Sequence, residues 1–311
     1  MANKNPEIKY KDESYFKPKE CPKCKSRDII KWGFRFNHTT KKRRYLCKSC
    51  GFTFTVDDGF WKTSKKREMI TACLDLYMNG MSLRKISNHV KQFGDIGVNY
   101  STVLKWLKKY STMTQPFTDN LPIEICGVYH ADELFVRCNG EQHYYWDLID
   151  HTSRFLVATH YSTQRDMASA EILLNKAKMR AGEPECVVTD GLQAYVHVVN
   201  KTWFKQTKTW QERRKHIRVI ERDDYRNNII ERIQGTIRER VKVMRGFHNP
   251  QSAELILNLF VIWYNFLRVH QGIGMTPAEK ARVKLNLGID KWLNLIYRSK
   301  IRKEVDVNGE V

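Results

Sequence analysis

Residues 185–191 read Glu-Cys-Val-Val-Thr-Asp-Gly, a short apolar run that stops at a carboxylate followed by glycine. A β-branched run this short, closed by a breaker, predicts a buried strand over Glu185–Thr189. Strand-type and helix-type periods alternate on both sides of it. Upstream, Ile123–Val136 and Tyr144–Ile149 predict two strands joined by a hairpin around Asn139-Gly140, and Phe155–His160 predicts a third. A helix then opens at Asp166 or Ser169 and runs through Lys178. Downstream come a helix from Leu192 to about Val199, a basic Trp-containing segment, a last strand at Ile217–Ile220 and a long helix over about Arg226–Met244. In that helix Ile230, Ile233, Ile237, Val241 and Met244 recur at three- and four-residue steps and mark the buried face. An amphipathic helix of about Ala253–Leu267 and a basic tail follow. This succession predicts an α/β domain built on a mixed sheet.

The whole chain has 311 residues, 41% of them hydrophobic, enough for more than one packed domain. Its 54 Lys and Arg against 34 Asp and Glu give a formal charge of +20, so a polyanion is the expected partner. The excess is concentrated at the front, where residues 1–122 hold 25 basic and 11 acidic side chains. A membrane-spanning helix is excluded: the longest apolar stretch, Leu255–Leu267, is short and interrupted by Asn258 and Asn265. The N-terminus lacks an apolar signal core, so the expected location is the cytoplasm, associated with the nucleoid.

Four of the eight cysteines form two pairs, Cys21-Pro-Lys-Cys24 and Cys47-Lys-Ser-Cys50, separated by 22 residues. Each pair offers two thiolates from one tight turn, and two such turns complete a closed tetrahedral shell for a single structural Zn²⁺. Short strands at Ile29–Trp32, Phe34–Phe36 and Arg43–Leu46 between the pairs make the unit resemble a zinc ribbon. Lys41, Lys42, Arg43 and Arg44 on its hairpin are candidate phosphate contacts, with a solvated turn as the plain alternative. The remaining cysteines, Cys73, Cys126, Cys138 and Cys186, read as inert buried thiols. Beyond the linker Val56–Gly59, residues 64–79, a helix capped by Ser82 and a basic, aromatic helix capped by Ser101 predict a helix-turn-helix. Ser101, Thr102 and Lys105 would then face the major groove.

Chemistry is expected at the strand ends, where open α/β sheets bind ligands. Asp132 lies in the first strand of the sheet, Asp190 ends the fourth, and Glu231 stands near the start of the long helix. Three carboxylates meeting at one point repel one another unless cations join them. Two Mg²⁺ (or Mn²⁺) ions, roughly 3.5–4 Å apart, would clamp the attacking and leaving oxygens of a phosphodiester. Arg232, Arg238, Lys242 and Arg245 would then hold backbone phosphates. Glu221 and Asp224 compete with Glu231 for the third place, but a helix-borne glutamate has the better reach and rigidity. Strand alternation sets Glu133 on the face opposite Asp132. Asp150 reads as a turn cap and His130 as a packed histidine. Trp203 and Trp210 read as packing residues or as stacking platforms for unpaired bases.

The order zinc ribbon, helix-turn-helix, then His130-Ala-Asp132-Glu133, Thr189-Asp190-Gly191 and Asn228-Ile-Ile-Glu231-Arg resembles the DDE transposases of prokaryotic insertion sequences. Arg245-Gly-Phe247, Tyr264-Asn265-Phe-Leu-Arg268-Val-His270-Gln271 and Thr276-Pro277-Ala278-Glu279 also look like family signatures. The resemblance implies a ribonuclease H-like catalytic domain, shared with retroviral integrases, in a multidomain chain with C-terminal helices. It implies Asp132, Asp190 and Glu231 as the catalytic, metal-holding triad. A water would open the phosphodiester at the element's end, and the freed 3′-hydroxyl would attack target DNA. One bond forms for each broken, so no nucleotide triphosphate is required, and the sequence has no Gly-rich Walker loop. The expected partners are terminal inverted repeats, target DNA and at least a second copy of the chain, with the apolar residues of Leu255–Leu267 as candidate dimer contacts. The spacing from Asp190 to Glu231, 40 residues, is long for the family, and the basic segment 201–218 reads as an insertion. The expected organisation is a tail (1–18), zinc ribbon (19–56), helix-turn-helix (62–111), linker (112–122), catalytic domain (123–285) and basic C-terminal tail (286–311). The competing readings are a non-catalytic DNA-binding regulator and a nuclease that only hydrolyses.

Overall fold

The computed structural model describes residues 18–36, 41–61, 63, 65–93, 97–203, 216–219 and 228–306. Its contacts divide the chain into two units, residues 1–71 with 293–311, and residues 72–292.

In the first unit, β1 (Ile29–Phe36), β2 (Lys41–Cys47) and β3 (Thr53–Phe54) form an antiparallel sheet in the order β1-β2-β3. Tyr45 is buried and packs on Phe54, which stacks on Phe52, giving this small sheet an aromatic floor. The expected linker Val56–Gly59 is instead a packed corner. Asp58 is buried and accepts from Lys42 Nζ at 3.0 Å, from the Phe60 amide at 3.0 Å and from Arg67. The C-terminal segment, expected as a basic tail, forms a helix over Lys291–Asp306. Leu295, Ile296 and Tyr297 are buried, and Arg67 donates to the Tyr297 hydroxyl at 2.6 Å. Charge counting missed the apolar stripe Leu293, Leu295, Ile296 and Tyr297 among the lysines and arginines.

The second unit takes in most of α1 (Arg67–Met78), then α2 (Leu83–Phe93) and α3 (Tyr100–Asp119). Gly80, at φ +96°, ends α1 with Met81 N–H on the Leu76 carbonyl, and the Ser82 hydroxyl caps α2 by accepting from the Lys85 amide at 3.3 Å. The cap of α3 is Asn99, not Ser101. The Asn99 side chain accepts from both the amide and the hydroxyl of Ser101, each at 2.9 Å. The expected linker 112–122 is helical as far as Asp119, because Tyr110, Ser111, Thr114, Phe117 and Thr118 are buried and α3 packs on α7. Pro116 does not break the helix. The Thr112, Thr114 and Thr118 hydroxyls donate back to carbonyls of α3 within it.

A mixed sheet follows, in the order β6-β5-β4-β7-β8, from β4 (Val128–Cys138), β5 (Glu141–Asp150), β6 (Leu156–Ser162), β7 (Cys186–Thr189) and β8 (His216–Arg218). β4–β5 and β5–β6 are antiparallel hairpin pairs, while β7 joins β4 in parallel and β8 joins β7 in parallel. The parallel pairings require crossovers: α4 (Met167–Ala181) leads into β7, and α5 (Gln193–Thr202) leaves it. α6 (Asn228–Met244), α7 (Pro250–Ile262), a π-helical turn at Trp263–Leu267 and α8 (Pro277–Lys280) complete the unit, with α9 (Lys291–Asp306) closing the chain.

Two helices lie on opposite faces of this sheet. On β5, Trp146 packs edge-on against Tyr195 of α5, while its neighbour Asp147 meets Gln234 of α6. Adjacent strand residues point to opposite faces, so α5 and α6 sandwich the sheet. The family-like signatures then have structural explanations. Phe247 bonds Arg137 and Asn139 at the far end of β4, and Gly246 supplies φ +112° where a Cβ would lie 3.2 Å from the Arg137 carbonyl. Buried Asn265 accepts from the Leu156 amide and donates to its carbonyl, in the manner of a strand partner. Thr276 and Glu279 form a capping box at α8. The apolar residues of Leu255–Leu267 are spent inside the chain: Ile256, Leu257, Leu259, Phe260 and Ile262 are buried, so this stretch is not a free dimer face. No described helix is long and apolar enough to cross a membrane.

Candidate active site and metal centre

The two Cys-X-X-Cys turns are built alike. In each, the residue after the second cysteine adopts a left-handed conformation and donates its amide to the carbonyl of the first cysteine. Lys25 does so to Cys21 at φ 60°, and Gly51 does so to Cys47 at φ 68°, both at 2.9 Å. The four sulfurs lie within 4.8 Å of one another, with Cys21 and Cys50 Sγ at 3.7 Å and Cys24 and Cys47 Sγ at 3.5 Å. A tetrahedron of sulfurs about 2.3 Å from a central zinc has edges of about 3.8 Å, so the cage fits that ion and is far too open for disulfides. Of the basic residues above it, Lys42 is turned inward onto Asp58 and is not available to phosphate. Arg43 lies 3.8 Å from the centroid of the Phe34 ring, and Arg44 is exposed with a donor on Thr53. For Lys41 only the backbone, at the start of β2, is described.

The carboxylates gather where β4 outruns β7. The parallel ladder ends at Ala131↔Thr189, and the next residue on each strand is acidic: Asp132 and Asp190. The Asp132 carboxylate folds along its own strand to accept from the Glu133 amide at 2.8 Å, and Asp190 accepts from the Leu192 amide at 2.9 Å. Carboxylate oxygens of Asp132, Glu133 and Asp190 come within 4.8 Å of one another. Glu133 is therefore a member of the cluster, contrary to the expectation from alternation. The register explains this. Asp132 faces Asp147 across β5 on the α6 side, and Glu133 faces Trp146 on the α5 side. With no further β7 pairing beyond Thr189, both side chains can reach around the strand edge.

Glu231 stands on the first turn of α6, outside the 4.8 Å group, and its charge is felt at Asp132. Burial, then Glu133, with smaller repulsion from Asp190 and Glu231, pushes the Asp132 carboxyl up to about 7. Such crowding of negative charge suits a hard cation bound through oxygen. Glu221, Asp224 and Trp210 lie outside the described residues.

Other expected side chains fall into place. Asp150 is a turn cap, accepting from the Ser153 amide and hydroxyl. His130 is buried, stacked on His151 and 2.9 Å from its Nδ1, a packed histidine held down to about 4 by burial and by His151. Trp203 is buried edge-on to Tyr129, so it packs and does not offer a face to bases. Cys73 and Cys138 are buried, Cys186 is half-buried and Cys126 is exposed, so the expectation of four buried thiols holds for two of them. Ser101 and Lys105 are exposed on α3 and Thr102 is half-buried. Arg232, Arg238, Lys242 and Arg245 are all exposed along and just beyond α6.

Sequence reading missed three residues beside the carboxylates. Arg165, before α4, donates Nε to Glu133 Oε1 at 2.6 Å and reaches Asp190 Oδ2 at 3.8 Å. Asp147 is fully buried, opposite Asp132, and accepts a long 3.4 Å bond from Gln234; burial and the Asp132 charge raise its pKa well above the usual range. The Tyr195 hydroxyl is buried, with no hydrogen-bond partner among the described residues, near Glu133 and Asp132, whose charges join burial in raising its pKa. A lone carboxylate inside the apolar run Tyr144–Ile149 could have flagged Asp147. Arg165, one of several charges in a loop, carried no signal.

Residues 127–270 match the DDE domain family. This segment is similar to the DDE domain. The matched segment spans the sheet, both strand-end aspartates and α6. The chain is 30% identical over 144 residues to the uncharacterized 48.3 kDa protein of insertion element ISM1 from Methanobrevibacter smithii. That alignment covers 42% of this chain and 35% of that protein, so the chain matches about a third of its relative's length. Among solved structures, it is similar to the HTLV-2 integrase catalytic core domain in complex with magnesium in its trimeric form. There identity is 15%, the TM-score is 0.36, and coverage is 52% of this chain and 98% of that one. It is also similar to a chain of the simian T-cell lymphotropic virus intasome in complex with a PP2A regulatory subunit, at 12% identity and TM-score 0.37, covering 70% and 76%.

Proposed function

We propose that this chain is a DDE transposase that cuts at the ends of an insertion sequence and joins the freed 3′-hydroxyl to target DNA. The observation that carries the reading is the meeting of Asp132 and Asp190 at the open edge where β4 outruns β7, inside a matched DDE domain. Asp132, Asp190 and Glu231 are the catalytic residues, and together they would hold two Mg²⁺ or Mn²⁺ ions. Bound there, the ions would lower the pKa of the attacking oxygen and stabilise charge on the leaving one. Asp132 and Asp190 would hold the ions from two neighbouring strands, and the ions would supply the contact to the reacting phosphate. Glu231, on the first turn of α6, would complete the set. The fold reading is ribonuclease H-like, supported by the strand order and the crossing helices. The four cysteines hold one structural zinc in a ribbon. With α1–α3 as a helix-turn-helix, that ribbon binds the terminal inverted repeats through Arg43, Arg44, Ser101, Thr102 and Lys105, while Arg232, Arg238, Lys242 and Arg245 contact phosphates near the site. Two ends must be held together, so the working form is a dimer or larger.

The test incubates the full chain with Mg²⁺, labelled duplexes carrying the DNA that flanks its coding segment, and a target plasmid. Joined products are the expected result. Cleavage without joining would make the protein a nuclease, and a stable uncut complex would make it a regulator.

A further inference from the structure

The carboxylate cluster has a cationic side that the triad does not use. Asp132 is paired in register with Asp147 on the α6 face, and Glu133 with Trp146 on the α5 face, so the strand edge separates two environments. On the α6 face are Asp132 and the first turn of α6. On the other is Glu133, only 2% of whose side chain is exposed, held by Arg165. Arg165 binds a single oxygen of Glu133 through Nε and Nη2, and Glu133 Oε2 is buried with no partner among the described residues. Its Nη2 lies 3.8 Å from Asp190 Oδ2, too long for a firm hydrogen bond. Its guanidinium also sits 5.8 Å from the centroid of Phe135, an aromatic ring 52% exposed to solvent. The arginine is thus anchored by a buried carboxylate, braced on an exposed ring and aimed along the edge at Asp190, while 37% of its side chain remains open to solvent.

Resting on the transposase reading, we propose that Arg165 is a phosphate-contacting residue of the active site, and that Glu133 is its anchor and not a metal ligand. A phosphodiester lying across the strand edge would face the triad on one side and a planar, multi-donor cation on the other. Guanidinium is suited to that place because its fork matches two phosphate oxygens and it cannot lose its proton. Glu133 fixes the fork by binding one end of it, so the remaining donors are oriented before DNA arrives. The exposed Phe135 ring limits the ways in which the head can swing.

The experiment measures two quantities on the full chain: Mn²⁺ binding alone, and single-turnover cleavage of the flanking-DNA duplexes in Mn²⁺. Arg165→Gln should slow cleavage on the order of 10²-fold with Mn²⁺ affinity unchanged. Glu133→Gln should slow it less, and the double variant should be no slower than Arg165→Gln alone. Placing sulfur at one non-bridging oxygen of the scissile linkage should slow the wild type, because sulfur is a poor acceptor. The same sulfur should slow Arg165→Gln much less, an effect that a merely structural role would not produce. Arg165→Lys, which keeps the charge, should retain fold and part of the rate. Glu133→Gln losing Mn²⁺ while Arg165→Gln gains it would overturn the proposal, making Glu133 a metal ligand and Arg165 its counter-ion. Wild-type cleavage by Arg165→Gln would overturn it alone. A wild-type chain unable to cut any duplex would bring down the transposase reading with it.

Discussion

The cysteine cage and the carboxylate cluster both hold like-charged ligand groups close together, yet they are built on opposite plans. Each cysteine pair is made by one short turn, closed by backbone hydrogen bonds between the first cysteine and residues four and five further on, so half of the shell is local. The carboxylates of Asp132 and Glu133 on β4 and of Asp190 just past β7 meet only because a parallel ladder stops one residue short of both aspartates. A local site can be read from spacing. A site assembled across a sheet depends on register, and register is decided by everything packed on the two faces.

If this contrast is right, the largest effect comes from Cys24→Ser. The chain should lose its zinc altogether, measured as metal per chain, because structural zinc sites of this kind bind with about 10–16 kcal/mol. The carboxylate site should keep its Mn²⁺ affinity in the same variant. Full zinc retention would refute the cage. Next is Asp190→Ala, which should slow cleavage and joining on the order of 10³-fold with DNA affinity nearly intact. Joined ends at normal rates would show that the cluster is not the site.

A third, smaller effect concerns the pairing that holds Asp190's strand. His216 of β8 lies 2.9 Å from the Thr189 hydroxyl on β7, and burial, then Arg218, holds its imidazole down to about 4. The unfolded chain then binds the extra proton below about 6.5, so this contribution is complete above that pH and is lost as pH falls towards 4. His216→Asn should narrow the difference in Tm between pH 7 and pH 5 by about 2–4 °C, read by thermal melts. An unchanged difference would remove His216 from the account. The smallest effect is Lys25→Gly. Lys25 sits in the left-handed region where the twin turn has Gly51, so the change should stabilise the cage by up to about 1 kcal/mol, seen as slower zinc loss to a chelator. Faster loss would mean that the Lys25–Glu20 ion pair at 3.2 Å outweighs backbone strain.

Much of the architecture was legible because periodicity and breakers are local signals. The strands around Asp132 and Asp190, the cap at Asp166 and the stop at Gly80 were expected close to where they lie. Of the expected apolar face of α6, Ile230, Ile233 and Ile237 are buried, while Val241 and Met244 are half-buried and Gln234 and Arg240 are buried in their place. The failures share one cause. Residues 112–119 were expected as a linker and residues 291–306 as part of a basic tail, because two prolines and a charge run suggest loops. Partners distant in sequence, α7 for the first and Arg67 for the second, supply the apolar and polar contacts that make them helices. Leu255–Leu267 was expected to be a dimer contact because a sequence cannot show that α3 already covers it.

By itself the sequence determined the four-cysteine cage, the mixed sheet and the identity of the acidic residues at the strand ends. These follow from spacing and period, which reach only a few residues along the chain. Only the tertiary structure decided that Glu133 joins Asp132, that Lys42 faces inward and that Arg165 stands beside Asp190. Those outcomes depend on where one strand ends against another and on which face each helix covers, and such long-range packing leaves no mark on local pattern.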